Sequence, residues 1–165
     1  MAHKRIVFDN PTTGHLSVIH PVYNDRLRPD DATDNDVLDE CMRRNIETGV
    51  LPAGVAYRIV EASVVPTQRL FRNAWSDDGD EIAVDMSKAR DIHMDAIRVD
   101  RDKKLTELDV TFMRAVEDDD SDAQSAASVE KQALRDIPET FDLSSASTPE
   151  QLTALWPEDL DRTNN

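Results

Sequence analysis

Apolar positions alternate with polar ones in short runs near the start of the chain and recur at helical spacing in its second half. Lys4 to Phe8 and His15 to Val22 are strand-like runs, separated by the turn formers Asp9-Asn10-Pro11-Thr12-Thr13-Gly14. In the second run Leu16, Val18 and His20 share one face, with Ser17 and Ile19 on the other. Residues 23–33 are polar, carry Pro29 and read as a loop. Thr33 has the side chain to N-cap a helix, with Asp34 and Asp36 in its first turn. That helix is predicted to run to about Thr48, to place Leu38, Cys41, Met42 and Ile46 on one face, and to stop at Gly49 with Pro52 following. Val55 to Val65 predicts a third strand, so residues 1–66 read as a β-β-α-β unit.

Residues 67–85 read as a junction. Asp77-Asp78-Gly79-Asp80 is a turn, and Glu81 to Asp85 returns from it as the second arm of a β-hairpin. The pattern then changes period. His93, Ile97, Leu105, Leu108, Phe112 and Ala115 keep steps of three, four or eight residues, one buried stripe of a helix on which Arg101 also falls. No Gly or Pro interrupts Met86 to Glu117, which predicts a rod about 45 Å long. The acidic run 117–122 marks a bend. A second helix follows, with Ala126, Val129, Ala133 and Ile137 as its expected inner face and Pro138 as its end. Residues 86–138 are therefore predicted to form an α-helical hairpin. In the tail, 139–165, Thr148-Pro149-Glu150-Gln151 forms a capping box with Pro at N1 and opens a short helix over 149–156. The fold class is α+β.

Charge narrows the choice of partner. The net charge is −15, and it is unevenly placed: residues 1–75 carry 9 basic and 10 acidic side chains, residues 76–137 carry 9 and 18, and residues 138–165 carry 1 and 6. Nucleic acids are bound by releasing counterions onto Lys and Arg, and anionic membranes attract the same residues. Neither is expected as a partner. No apolar stretch approaches the ~20 residues needed to span a bilayer, and the start of the chain lacks the apolar core of a signal peptide. Synthesis in a cytoplasm follows. The lone Cys41 lies among Val37, Leu38 and Met42 and reads as a small buried hydrophobe.

Residues spaced for chemistry are few. His15 and His20 point to opposite faces of one strand, and His93 lies on the core stripe. Asp118, Asp120 and Asp122 match three ligand positions of a calcium loop, but Ala123 and Val129 stand where Gly and a bidentate Glu are needed. No catalytic residues, metal, cofactor or small-molecule substrate are expected. What remain are binding features. Phe71, Arg72 and Trp75 bring together residue types common at interface hot spots, as do Leu152, Leu155 and Trp156 in the terminal helix. Each group has a second reading: Phe71 and Trp75 cement the chain's own parts, and the terminal helix docks back onto its own chain.

The run from Ala89-Arg90 to Arg101, then Leu105, Leu108 and Asp109, and finally Gln132-Ala133-Leu134-Arg135-Asp136-Ile137-Pro138 resembles the C-terminal helical hairpin of small proteins encoded beside tail genes in tailed bacteriophages. These include tail fibre assembly proteins and tail assembly chaperones. The resemblance covers residues 86–140. It departs from the tail fibre assembly pattern at Val129-Glu130-Lys131, where those proteins carry a tryptophan. It implies protein–protein binding in a virion or during its assembly, in the cytoplasm of a bacterial host. The expected partners are virion or tail proteins, or further copies of the chain. The preferred expectation is a structural adaptor near the tail, baseplate or fibre attachment. A tail fibre assembly chaperone that leaves the particle is the alternative, and an acidic mimic of DNA is a third.

Overall fold

The computed structural model describes residues 3–23, 29 and 31–162. The fold is α+β, and it divides into two compact units, Met1–Asp85 and Met86–Asn165. The expected loop over 23–33 lies largely outside the described residues.

The first unit is built on three antiparallel strands, β1 (Lys4–Asp9), β2 (Leu16–Ile19) and β3 (Arg58–Glu61), in the order β2-β1-β3. Asn10 sets the β1–β2 turn. Its side-chain carbonyl accepts from the amides of Thr12 and Thr13 at 2.9 and 3.3 Å, and Gly14 takes φ +70°, which suits a residue without Cβ. As the central strand, β1 buries Ile6, Val7 and Phe8 in succession. A strand covered on both faces loses the alternation that marks a half-exposed one.

The helix α1 (Asp34–Glu47) begins and ends as predicted. Thr33 and Asp36 form a reciprocal capping box, Thr33 N donating to Asp36 at 2.7 Å and Asp36 N to Thr33 at 3.3 Å. Gly49 follows at φ +74°. Of its expected inner face only Leu38 is fully buried. Cys41 and Met42 are half-buried and Ile46 is exposed. The third strand is shorter than the sequence suggests, because Ala62–Val64 turns into a 3-10 helix directly after Glu61.

The residues read as a junction contribute to the core of the first unit. A 3-10 turn over Arg72–Ala74 leads into β4 (Trp75–Asp77), which pairs antiparallel with β5 (Ile82–Val84). Trp75 and Ile82 pack with Val7, Leu16, Val60 and Val65. Arg58 of β3 fixes the hairpin by gripping Asp77 with both arms of its guanidinium, the Nε–Oδ2 distance being 3.0 Å.

The second unit is helical. α2 (Met86–Glu117) has 32 residues and α3 (Ser121–Thr140) has 20. Asp119 at φ +54° makes the bend, and Asp120 caps α3 by accepting from Ala123 N at 2.9 Å. α3 runs two residues past Pro138. A proline this close to the end removes a single amide donor, and the last bond, Phe141 N to Ile137 O at 2.8 Å, is still made. On α2 the predicted stripe holds in part: His93, Ile97, Leu108 and Ala115 are buried, while Leu105 and Phe112 are half-buried.

On α3 the expected inner face holds only at Ile137. Ala127, Leu134 and Ile137 are buried, whereas Ala126 and Ala133 are exposed and Val129 is 68% exposed. Two apolar stripes compete on this helix. The one bearing Leu134 buries more hydrocarbon than the one bearing two alanines and Val129, and it therefore faces inward. Lys131 joins that inner stripe. Its ammonium pairs with Asp109 and lies 5.3 Å from the centroid of Phe112, while its stem covers apolar surface.

Candidate protein-binding surfaces

In the second unit, the segment after α3 folds back onto α2. Thr148 caps α4 (Pro149–Ala154), accepting from Gln151 N at 3.2 Å, and Gln151 in turn accepts from Ser147 N at 2.9 Å. The capping box is thus real, with its return bond placed one residue earlier than the simplest pattern. α4 stops at Ala154, so Leu155 and Trp156 lie just beyond the helix rather than inside it.

Two side chains of α2 hold this segment by its backbone. Arg90 donates from Nε to Leu143 O at 3.2 Å and from Nη2 to Ala146 O at 2.8 Å. His93, 2% exposed, bonds through Nε2 to Leu155 O at 2.7 Å. Since a carbonyl only accepts, Nε2 carries the proton. Burial lowers the His93 pKa below its usual value; the Leu155 carbonyl opposes that shift and the positive charge of Arg162 adds to it.

The Trp156 ring meets His93 edge-on at 5.5 Å and donates Nε1–H to Leu160 O at 3.1 Å. Arg162 stacks 5.1 Å above the same ring and donates to Thr153 O at 2.9 Å. Leu143, Ala146, Leu152 and Leu160 are buried. Leu152, expected as a partner anchor, is fully enclosed by its own chain. Leu155 and Trp156 are half-buried and keep an outward surface.

In the first unit, Phe71 is 0% exposed and Trp75 6%. Both are core residues, and of the predicted trio only Arg72 is on the surface. Arg72 and the rim of Trp75 nevertheless line a groove of about 410 Å³ beside β2. Leu16 to His20, Arg69, Arg72, Asn73, Val50 and Phe8 are among its lining residues. His15 and His20, which flank β2 at either end, also line it. At His20, desolvation and then the charges of Arg5 and Arg69 lower the pKa, a sign of positive potential there.

Among the described residues no group of three or more His, Cys, Asp or Glu is placed to hold a metal ion. The Cys41 thiol is half-buried, and desolvation raises its pKa, which favours the unreactive protonated form. No described helix is long and apolar enough to cross a membrane.

The family model described as phage tail assembly chaperone protein matches residues 94–159. The chain is related to phage tail assembly proteins. The match begins in α2, includes all of α3 and α4, and ends at Asp159, taking in Leu155 and Trp156. It therefore extends past the hairpin that carried the resemblance in sequence and includes the returning segment. Arg69 and Arg72 lie outside it. No curated protein and no solved structure matches the chain.

The clasp by Arg90 and His93 was not legible in the sequence. Both residues bond to backbone carbonyls, which leave no mark on residue type at the accepting positions. His93 on a helical core stripe was the one available signal, since a buried imidazole needs a hydrogen-bond partner.

Proposed function

We propose that the chain acts in phage tail assembly as a chaperone that holds tail proteins through non-covalent contacts and performs no catalysis. The observation that carries this reading is the family match, which takes in most of α2, all of α3 and α4 and the returning segment, and begins just after the clasp residues Arg90 and His93. Exposed apolar side chains provide contact surface on it. Val99, Val110 and Met113 lie on the side of α2 away from Leu108 and Ala115, about half exposed, and Val129 projects from α3. Leu155 and Trp156 add a half-open apolar rim.

A retained structural component of the particle, at the tail, baseplate or fibre attachment, is the second reading; it uses the same surfaces. Quantitative mass spectrometry of infected lysates and of purified particles separates them. A chaperone co-purifies with tail proteins from lysate and is lost from finished particles. Presence in particles at fixed stoichiometry assigns the component role. Normal tails from a phage lacking the gene, with no tail protein bound in lysate, would sink both.

A further inference from the structure

The edge of β2 is a backbone surface with unused bonding capacity. Asn10 N donates to His15 O at 3.0 Å, which makes residues 10 and 15 a hydrogen-bonded pair. In an antiparallel ladder such pairs alternate with non-bonded ones. Phe8–Ser17 and Ile6–Ile19 are then bonded, and Val7–Val18 and Asp9–Leu16 are not. The independent bond from Ala62 N to His3 O at 2.8 Å agrees, since it turns the odd positions of β1 toward β3. Hence the amides and carbonyls of Leu16 and Val18 point away from β1 at the sheet's edge, and both residues line the groove.

The groove is chemically distinctive for this chain. The sequence has 34 acidic and 19 basic residues, yet the lining includes Arg69 and Arg72 and no carboxylate. Among the described residues neither arginine forms an ion pair. The lining is also chemically mixed: Arg69, Arg72 and Asn73 offer charge and donors, whereas Val50, 54% exposed, offers hydrocarbon.

From this geometry we infer that the β2 groove binds an extended acidic segment of another polypeptide as a fourth strand of the sheet. Main-chain bonds to Leu16 and Val18 supply the pairing. Alternate acidic side chains meet Arg69 and Arg72, and the intervening apolar ones meet Val50. The groove lies outside residues 94–159, and the inference does not depend on a role in tail assembly.

The test uses the full chain and a labelled octapeptide of alternating Val and Asp, followed by fluorescence anisotropy. Saturable binding is expected, weakened at least about tenfold in the Arg69→Glu/Arg72→Glu double variant, whose substitutions are on the surface. A Val–Lys octapeptide should not bind. Two further peptides, N-methylated at all Val or at all Asp amides, each lose donors along one edge. At least one of them should bind about tenfold more weakly than the parent. The proposal is overturned if the parent peptide does not saturate, if the charge-reversed variant binds it equally well, or if both N-methylated peptides bind as the parent does. It is also overturned if a single-stranded oligonucleotide displaces the peptide at lower concentration than unlabelled peptide does, because the groove would then be a phosphate site.

Discussion

Replacing Leu152 with Ala tests whether the returning segment belongs to the core of the second unit. Leu152 is 0% exposed on a helix only six residues long, so its side chain is a principal anchor of that segment. The substitution removes three carbons. At ~0.8 kcal/mol for each buried methylene, lost transfer energy alone is about 2.4 kcal/mol. Incomplete closure of the cavity raises the expected cost to roughly 3–4 kcal/mol. Backbone entropy changes little, because Ala favours helix at least as well as Leu. For a unit of this size each kcal/mol moves Tm by about 4–8 °C, so a fall of at least ~12 °C is expected in thermal melts followed by circular dichroism at 222 nm. Val129→Ala is the matched control: that side chain is 68% exposed, and its removal should change stability by less than ~0.5 kcal/mol. A fall of less than ~4 °C for Leu152→Ala would refute the reasoning. The segment would then be undocked in solution and free to serve as an anchor for a partner.

Phe112 is half-buried beneath Lys131, so Phe112→Ala is expected to cost about 1–2 kcal/mol rather than the 3 or more of a fully buried ring, as read from urea midpoints. Asp120 is a helix cap, and Asp120→Ala should cost about 1 kcal/mol; calorimetric titration of the unmodified chain with Ca²⁺ should show no site tighter than about millimolar, since the loop lacks Gly and a closing Glu, and a micromolar site would overturn this. His93 has a folded pKa below its unfolded value, so the unfolded state takes up the proton first as pH falls. Stability from this group is thus complete above the unfolded value and declines as pH drops below about 6.5 toward the folded pKa. His93→Gln keeps a donor for Leu155 O and does not titrate, and its stability should fall less than that of the parent between pH 7.5 and 5; equal slopes would remove His93 from the account.

The elements that the sequence determined by itself are those governed by local chemistry. Thr33 with Asp36, Gly49, and Thr148 with Pro149 and Gln151 fix the ends of α1 and the start of α4 through bonds spanning three or four residues. The uninterrupted run from Met86 to Glu117 and the acidic bend after it likewise gave the hairpin, and its residues carried the resemblance to tail assembly proteins. Where two local solutions were nearly equal, only packing chose. Ala126-Val129-Ala133 and Ala127-Leu134 are both helical stripes, and contact with α2 selected the second because Leu134 has more surface to bury. Phe71 and Trp75 have the composition of an interface and the location of a core, Trp75 packing with strand residues Val7, Leu16, Val60 and Ile82. The groove beside β2 joins Leu16, Val50 and Arg72, residues far apart in sequence, and the clasp joins Arg90 to Leu143 and Ala146, 53 and 56 residues away. Contacts at such separations, made in part to backbone carbonyls that every residue carries, have no periodicity and no residue signature, so tertiary structure alone decided them.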